Sequence, residues 1–303
     1  MTVVFQQVLL LFLFVITGYI LCKIHIVNGQ QAGILSSLLV YLFFPCKVFR
    51  TFAQELTLNF LRENWQIPLL AFLVTAICAV VMHYAAKILT KDKYAQSICE
   101  YSLVVPNYAY MGYALTESLL GPAGLVGYML FSLPVTVYIY TVGFNLLTKR
   151  GFHIKKLLNP VTAALVLGLC FMLTGLRLPS LLSAALEKAS ACLAPVSMLL
   201  TGIVIAGFPV CDILKNKTVY LVTLGRLLLL PLAIGGILQL FCGPDIVSVA
   251  VLLYALPCGL NTVVFPRLIG EDCRLGAGLA AVSCLASCLT IPVICTIFQI
   301  GGF

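Results

Sequence analysis

Apolar residues fill this chain in runs of about 20, broken by short polar stretches, and a helix of that length crosses a hydrocarbon layer of roughly 30 Å. Ten such runs can be read, at about 4–22, 32–54, 65–86, 94–116, 122–147, 157–175, 181–207, 218–241, 246–268 and 275–300. They are too long and too evenly apolar for barrel strands, and uncovered backbone polar groups are too costly in lipid, so each run predicts a helix. Nothing is left over for a soluble domain. The expected fold is all-α and polytopic, one membrane domain over residues 1–303.

Composition agrees. The chain is 62% hydrophobic and 9% charged, against about 45–50% and 25% for soluble domains. Its net charge of +8 calls for no nucleic-acid partner, because the distribution of charge over the loops explains it. Lys23, Lys87, Lys91, Lys93, Lys149, Arg150, Lys155, Lys156, Lys215, Lys217, Arg267 and Arg274 fall on one side, and Arg50, Arg62 and Arg177 on the other. Basic loops stay in the cytoplasm, so both termini are expected outside a cell (plasma or inner) membrane. Met1 leads into an apolar run with no basic residue before it, which predicts no cleaved secretory signal. Of the 13 cysteines, Cys78, Cys170, Cys192, Cys284, Cys288 and Cys295 lie inside apolar runs as small hydrophobes.

Prolines inside the runs mark an internal repeat. Pro45 and Pro195 stand 150 residues apart, Pro106 and Pro257 stand 151 apart, and Leu133-Pro134-Val135 answers Ile291-Pro292-Val293. A unit with an odd number of spans must be followed by one that enters from the opposite face. The expectation is therefore a five-plus-five inverted repeat, about 1–147 and 157–303, as in many secondary transporters.

Spans 4 and 9 carry the candidate chemistry, in Val105-Pro106-Asn107-Tyr108-Ala109-Tyr110-Met111-Gly112 and Leu256-Pro257-Cys258-Gly259-Leu260-Asn261-Thr262. Proline removes a donor and clashes with the preceding turn, so each helix should break at mid-span and leave backbone groups unpaired. Such groups are tolerated at that depth against protein or a watered cavity. One such span reads as a proline kink with a packing asparagine. The pair, running in opposite directions, reads as two half-helix N-termini converging on an anion, with Asn107 and Asn261 donating hydrogen bonds.

Pro106-Asn107 followed by Met111-Gly112, Leu256-Pro257 with Asn261, Asn159-Pro160, and Leu193-Ala194-Pro195-Val196-Ser197-Met198 with Gly202 together resemble the auxin efflux carrier family, over essentially the whole chain. The similarity is to a bacterial malate/malonate-type member related to the plant PIN-type carriers. It implies ten transmembrane helices in a fold like the bile-acid symporters, with spans 1, 2, 6 and 7 as scaffold and spans 3–5 and 8–10 as a moving core. It also implies a homodimer through the scaffold, and a substrate beside the crossing of the two broken helices. The candidate binding residues are then Pro106, Asn107, Tyr108, Pro257, Cys258, Gly259, Asn261 and Thr262. Residues 148–156 are too short a loop to carry the long cytoplasmic segment of the plant carriers, and Ala114 and Pro266 depart from the family pattern.

Three ionisable residues fall within spans, where such groups face a cavity or a partner. Lys47 reaches the surface by snorkelling or faces a cavity. Glu100 and Arg226 sit at similar depth and are expected either to pair, or, for Glu100, to titrate during coupling. His25, His83 and His153 form no metal set, so no metal or other cofactor is expected, with proton or sodium coupling left open. The sequence has no phosphate-binding Gly-Lys-Ser/Thr loop, no HExxH and no paired aspartates in a span, so neither ATP drive nor an enzyme is expected. The reading is a carrier of a small organic anion, a mono- or dicarboxylate or an auxin-like acid, working by alternating access. A channel or a transport-like membrane sensor of the same fold is the alternative.

Overall fold

The computed structural model describes residues 2–149, 151, 159–209 and 216–301. Arg150, His153, Lys155, Lys156 and Lys215, which entered the loop-charge reading, lie outside the described residues. Within them the regular elements are helical: α1 (Val3–Lys23), α2 (Gln31–Glu55), α3 (Leu58–Glu63), α4 (Gln66–Leu89), α5 (Lys93–Val104), α6 (Tyr108–Thr148), α7 (Pro160–Thr174), α8 (Ser180–Ala206), α9 (Lys217–Leu238), α10 (Pro244–Ala255), α11 (Asn261–Arg267) and α12 (Arg274–Ile297). Seven of these, α1, α2, α4, α6, α8, α9 and α12, are long and apolar enough to cross a membrane, and α7 and α10 are shorter apolar helices.

The surface of α4 shows what solvent surrounds it. Ile67, Ala71, Thr75 and Cys78 form its buried stripe, while Leu69, Leu73, Ile77 and Val80 stand exposed on the other side. A helix whose outward face is as apolar as its inward face is at home in lipid, where no polar face is required.

Prolines shape the rods as their chemistry dictates. The turns just before Pro45 (Leu39–Phe43) and before Pro231 (Gly225–Leu229) widen to π-helical spacing, because the proline has no N–H for the carbonyl four residues back and its ring presses on it. Span 4 does not end at about residue 116 as the hydropathy suggests. Its second half runs on within α6, a helical stretch of 41 residues, and the turn into the next span is made at Gly121 (φ 69°, ψ −172°). That conformation suits glycine, and Pro122 follows it. The Asn159-Pro160 pair is a helix start: the Asn159 side chain accepts from the amides of Val161 and Thr162, closing a capping box.

Small residues bring the rods together. A Cβ on Gly18 would strike the Leu199 carbonyl of α8, and one on Gly202 would strike the Val15 carbonyl of α1, so these backbones touch. Gly168 of α7 lies against Phe52 of α2 in the same way, and Phe49 and Phe171 meet edge to face at 5.3 Å beside it. Helices α5, α6 and α9–α12 gather around the two interruptions described next.

Candidate functional site

Both proline-containing spans are interrupted, and the interruptions cross. Helix α5 ends at Val104, Val105 is extended (φ −104°, ψ 107°), and α10 ends at Ala255 with Leu256 likewise extended (φ −74°, ψ 152°). Pro106 and Cys258 then face each other in an antiparallel bridge, and the Asn107 amide donates to the Pro257 carbonyl at 2.8 Å. Further support comes from α12, where Ser283 Oγ accepts from the Cys258 amide at 2.9 Å. Backbone groups freed by the prolines thus satisfy one another at a depth where water is scarce.

Arg226 holds the other ends. It is fully buried and sits in the widened turn ahead of Pro231. Its Nη1 donates to the Leu103 carbonyl at 2.7 Å, Nη2 to Leu253 at 3.1 Å, and Nε to Leu256 at 3.1 Å. One guanidinium therefore caps the C-terminal ends of both α5 and α10, where orphan carbonyls and the negative ends of two helix dipoles converge. The Tyr254 ring lies 5.4 Å away and adds a cation–π contact. This corrects the expected Glu100–Arg226 pair. Glu100 Oε2 instead lies 2.8 Å from His83 Nδ1, and Tyr138 donates its hydroxyl to Oε1 at 3.4 Å.

A cavity of about 390 Å³ adjoins the crossing. Pro106, Asn107, Tyr108, Gly259 and Asn261 line it, with Tyr110, Tyr140, Ser36 and Tyr41, which the sequence reading did not single out. Tyr140 and Tyr41 both stand in π-helical turns, whose extra residue rotates side chains off the regular helical register, so period-based reasoning misplaces them. Three of the expected residues are elsewhere. Pro257 contributes its carbonyl to the crossing, the buried Cys258 thiol points toward the Ser102 carbonyl, and the fully buried Thr262 hydroxyl bonds to the Gly259 carbonyl at 3.2 Å.

Among the described residues no ionised side chain lines the cavity. Its donors are amides and phenols. The first amides of α6, those of Tyr108, Ala109 and Tyr110, precede the first helical carbonyl and have no intrahelical acceptor, whereas Met111 and Gly112 already donate to the Asn107 carbonyl. Asn261 donates to the Tyr101 hydroxyl at 2.7 Å. Among the described residues the Asn107 side-chain amide has no partner, although the residue is only 6% exposed. The second half of span 9, α11, is seven residues long, so the dipole at this site comes chiefly from α6.

The cavity is lopsided. Ser36 and Val40 in the first part of α2, Val161 at the start of α7, and Val264, Phe265 and Leu268 at and just beyond the end of α11 carry its walls toward the lysine-rich loops. On the opposite side Lys47 of α2 meets Glu117 of α6 at 2.6 Å, with Arg50 at 3.9 Å from the same carboxylate. Lys47 thus neither snorkels nor lines the cavity, and Glu117, which hydropathy put in a loop, is its partner. A larger hollow, about 570 Å³, lies among residues 53–59 and 171–178. It is a surface groove remote from the crossing.

A family model described as membrane transport protein matches residues 3–156 and 151–295 of the chain. No curated protein matches it at a significant level.

Proposed function

Because the chain belongs to the auxin efflux carrier family of membrane transport proteins, we propose that it is a secondary carrier of a small organic anion, bound in the cavity beside the crossing. The observation that carries this reading is the unpartnered Asn107 amide in the wall of a cavity with no charged side chain among its described lining residues. The amide opens to the cavity and is not sealed in packing, and a carboxylate would accept from it together with the amides that open α6. Among the described lining residues a cation would meet no carboxylate.

In this reading ten spans form a five-plus-five inverted repeat, about 1–147 and 157–303. Helices α1, α2, α7 and α8 form the scaffold and dimer face, and α4–α6 with α9–α12 form the core. With the lysine-rich loops in the cytoplasm and both termini outside, the conformation described here is open inward. The Lys47–Glu117 pair joins scaffold to core and closes the outer side. Alternating access then consists of breaking that contact while the core, held as one body by Arg226, moves the crossing toward the other face.

The test is uptake of radiolabelled malonate and malate by proteoliposomes containing the wild type or an Asn107→Ala, Asn261→Ala double variant. A hydrogen bond to a charged ligand contributes about 1.5–3 kcal/mol, so losing Asn107 alone raises KM roughly 10- to 150-fold. Equal transport by wild type and double variant removes these residues from the site. Fast, non-saturating flux without counterflow replaces the carrier with a channel.

A further inference from the structure

The His83–Glu100 contact is left over by everything above. Glu100 is a carboxylate inside a membrane span, its side chain 9% exposed, while the His83 ring that faces it is 48% exposed. Intramembrane ionisable groups persist where they carry ions or pair with one another. His83 stands one turn before Lys87 at the end of α4, next to the lysine-rich loops. A pair with one buried member and one member at that end therefore has a route for a proton between water and the interior. Tyr138 extends that route: its hydroxyl bonds Glu100, and the next two residues, Ile139 and Tyr140, line the cavity. Tyr101, adjacent to Glu100, accepts the hydrogen bond of cavity residue Asn261.

We propose that His83 and Glu100 form a proton-binding site that couples proton movement to transport of the anion, an inference that rests on the carrier reading above. The pair with neutral imidazole and carboxylate has charge −1. One proton taken from water gives imidazolium and carboxylate, net zero, and its release restores −1.

Among the described residues, other charged or titratable groups near the pair are already engaged. On α4, Lys87 sits over the Tyr84 ring, which itself packs edge-on against His83, and the Cys78 side chain is buried. From α9, Arg226 is turned to three carbonyls. Beyond the end of α6, Lys149 lies over Tyr94 of α5. Near α11 and α12, Arg267 lies over Phe208 and Arg274 bonds Asp272. None of these neutralises the pair in place of a proton.

The sign of the coupling follows from distance. Glu100 lies four residues before the end of α5, roughly 6 Å of helix rise, and the extended residues to Pro106 add about 3.3 Å each. A charge of −1 on the order of 12 Å from a bound monovalent anion, at an effective dielectric constant of about 20, weakens its binding about tenfold. Proton and anion therefore bind together, and the gradient of one drives the other in the same direction.

The test uses the whole protein in proteoliposomes with labelled malonate as probe, measuring equilibrium exchange and, separately, accumulation driven by an imposed pH gradient. Glu100→Gln and His83→Gln are each expected to lower the ratio of gradient-driven accumulation to exchange at least tenfold. An unchanged ratio in both variants overturns the proposal. Absence of malonate exchange in the wild type counts against the carrier reading with this probe, and the proton site is then decided without substrate, by nitrogen NMR of histidine-labelled protein. The His83 ring-nitrogen signals should differ between wild type and Glu100→Gln, because the carboxylate that faces Nδ1 at 2.8 Å is removed. A His83 signal identical in wild type and Glu100→Gln overturns the proposal on its own.

Discussion

Replacing Arg226 with methionine keeps a long, flexible side chain of similar reach and removes the guanidinium. Three carbonyls at the ends of α5 and α10, those of Leu103, Leu253 and Leu256, then lose their donor in a place fully closed to water. Each buried acceptor left unpaired costs about 1–3 kcal/mol, and the loss of a positive charge at two helix C-termini adds roughly 0.3–2 kcal/mol for each end. Against this stands the relief of no longer burying a guanidinium, several kcal/mol by itself. The expected net destabilisation is about 3–5 kcal/mol, the range found when one partner of a buried charged contact is removed. In a thermal unfolding assay on purified protein in detergent, that corresponds to a midpoint lowered on the order of 10 °C. Arg226→Lys should lie between, since one ammonium cannot spread its donors over both helix ends as the planar fork does. A methionine variant melting within about 2 °C of the wild type would refute the reasoning and mean that the crossing is held by something other than this cap.

Thr262→Val should lower stability by about 1 kcal/mol without changing KM for labelled malonate, because the hydroxyl bonds the Gly259 carbonyl and not the cavity; a KM shift comparable to that of Asn107→Ala would put Thr262 back in the site. Glu117→Gln removes the charge that Lys47 and Arg50 share. With Glu117 still partly exposed, the loss is about 1 kcal/mol, or roughly fivefold in the balance of states. Spin labels at Gln54 and Ser118 should then report a larger separated population, and an unchanged distance distribution would show that the pair is not the closure. Gly18→Ala should destabilise by about 2 kcal/mol or more in the same melting assay, since the added methyl meets backbone of α8 that has no rotamer to yield; a neutral substitution would mean that the two rods can separate freely.

Much of this protein was legible locally. Hydropathy alone identifies a membrane chain, because twenty successive apolar residues admit few other solutions, and Pro106 and Pro257 mark where two spans lose an N–H, although Pro134 and Pro292 sit inside continuous helix. What hydropathy misjudged was continuity. The second half of span 4 passes through Glu117 and turns only at Gly121, since one charge does not end a helix if a partner such as Lys47 waits beside it.

The partners themselves were beyond the sequence. Glu100 and Arg226 share a depth, and depth is what a linear reading supplies. Whether two side chains meet depends on how each rod is rotated about its axis, and successive residues differ by about 100°. Widened turns at Leu39–Phe43, Ile139–Gly143 and Gly225–Leu229 shift that rotation further. So the sequence by itself determined the solvent, the helices and the places where two of them break. Only the tertiary structure decided that Arg226 faces carbonyls, that Glu100 faces His83, and that Asn107 and Asn261 face the cavity while Cys258 and Thr262 face the packing, because those choices rest on angles between rods that no local preference encodes.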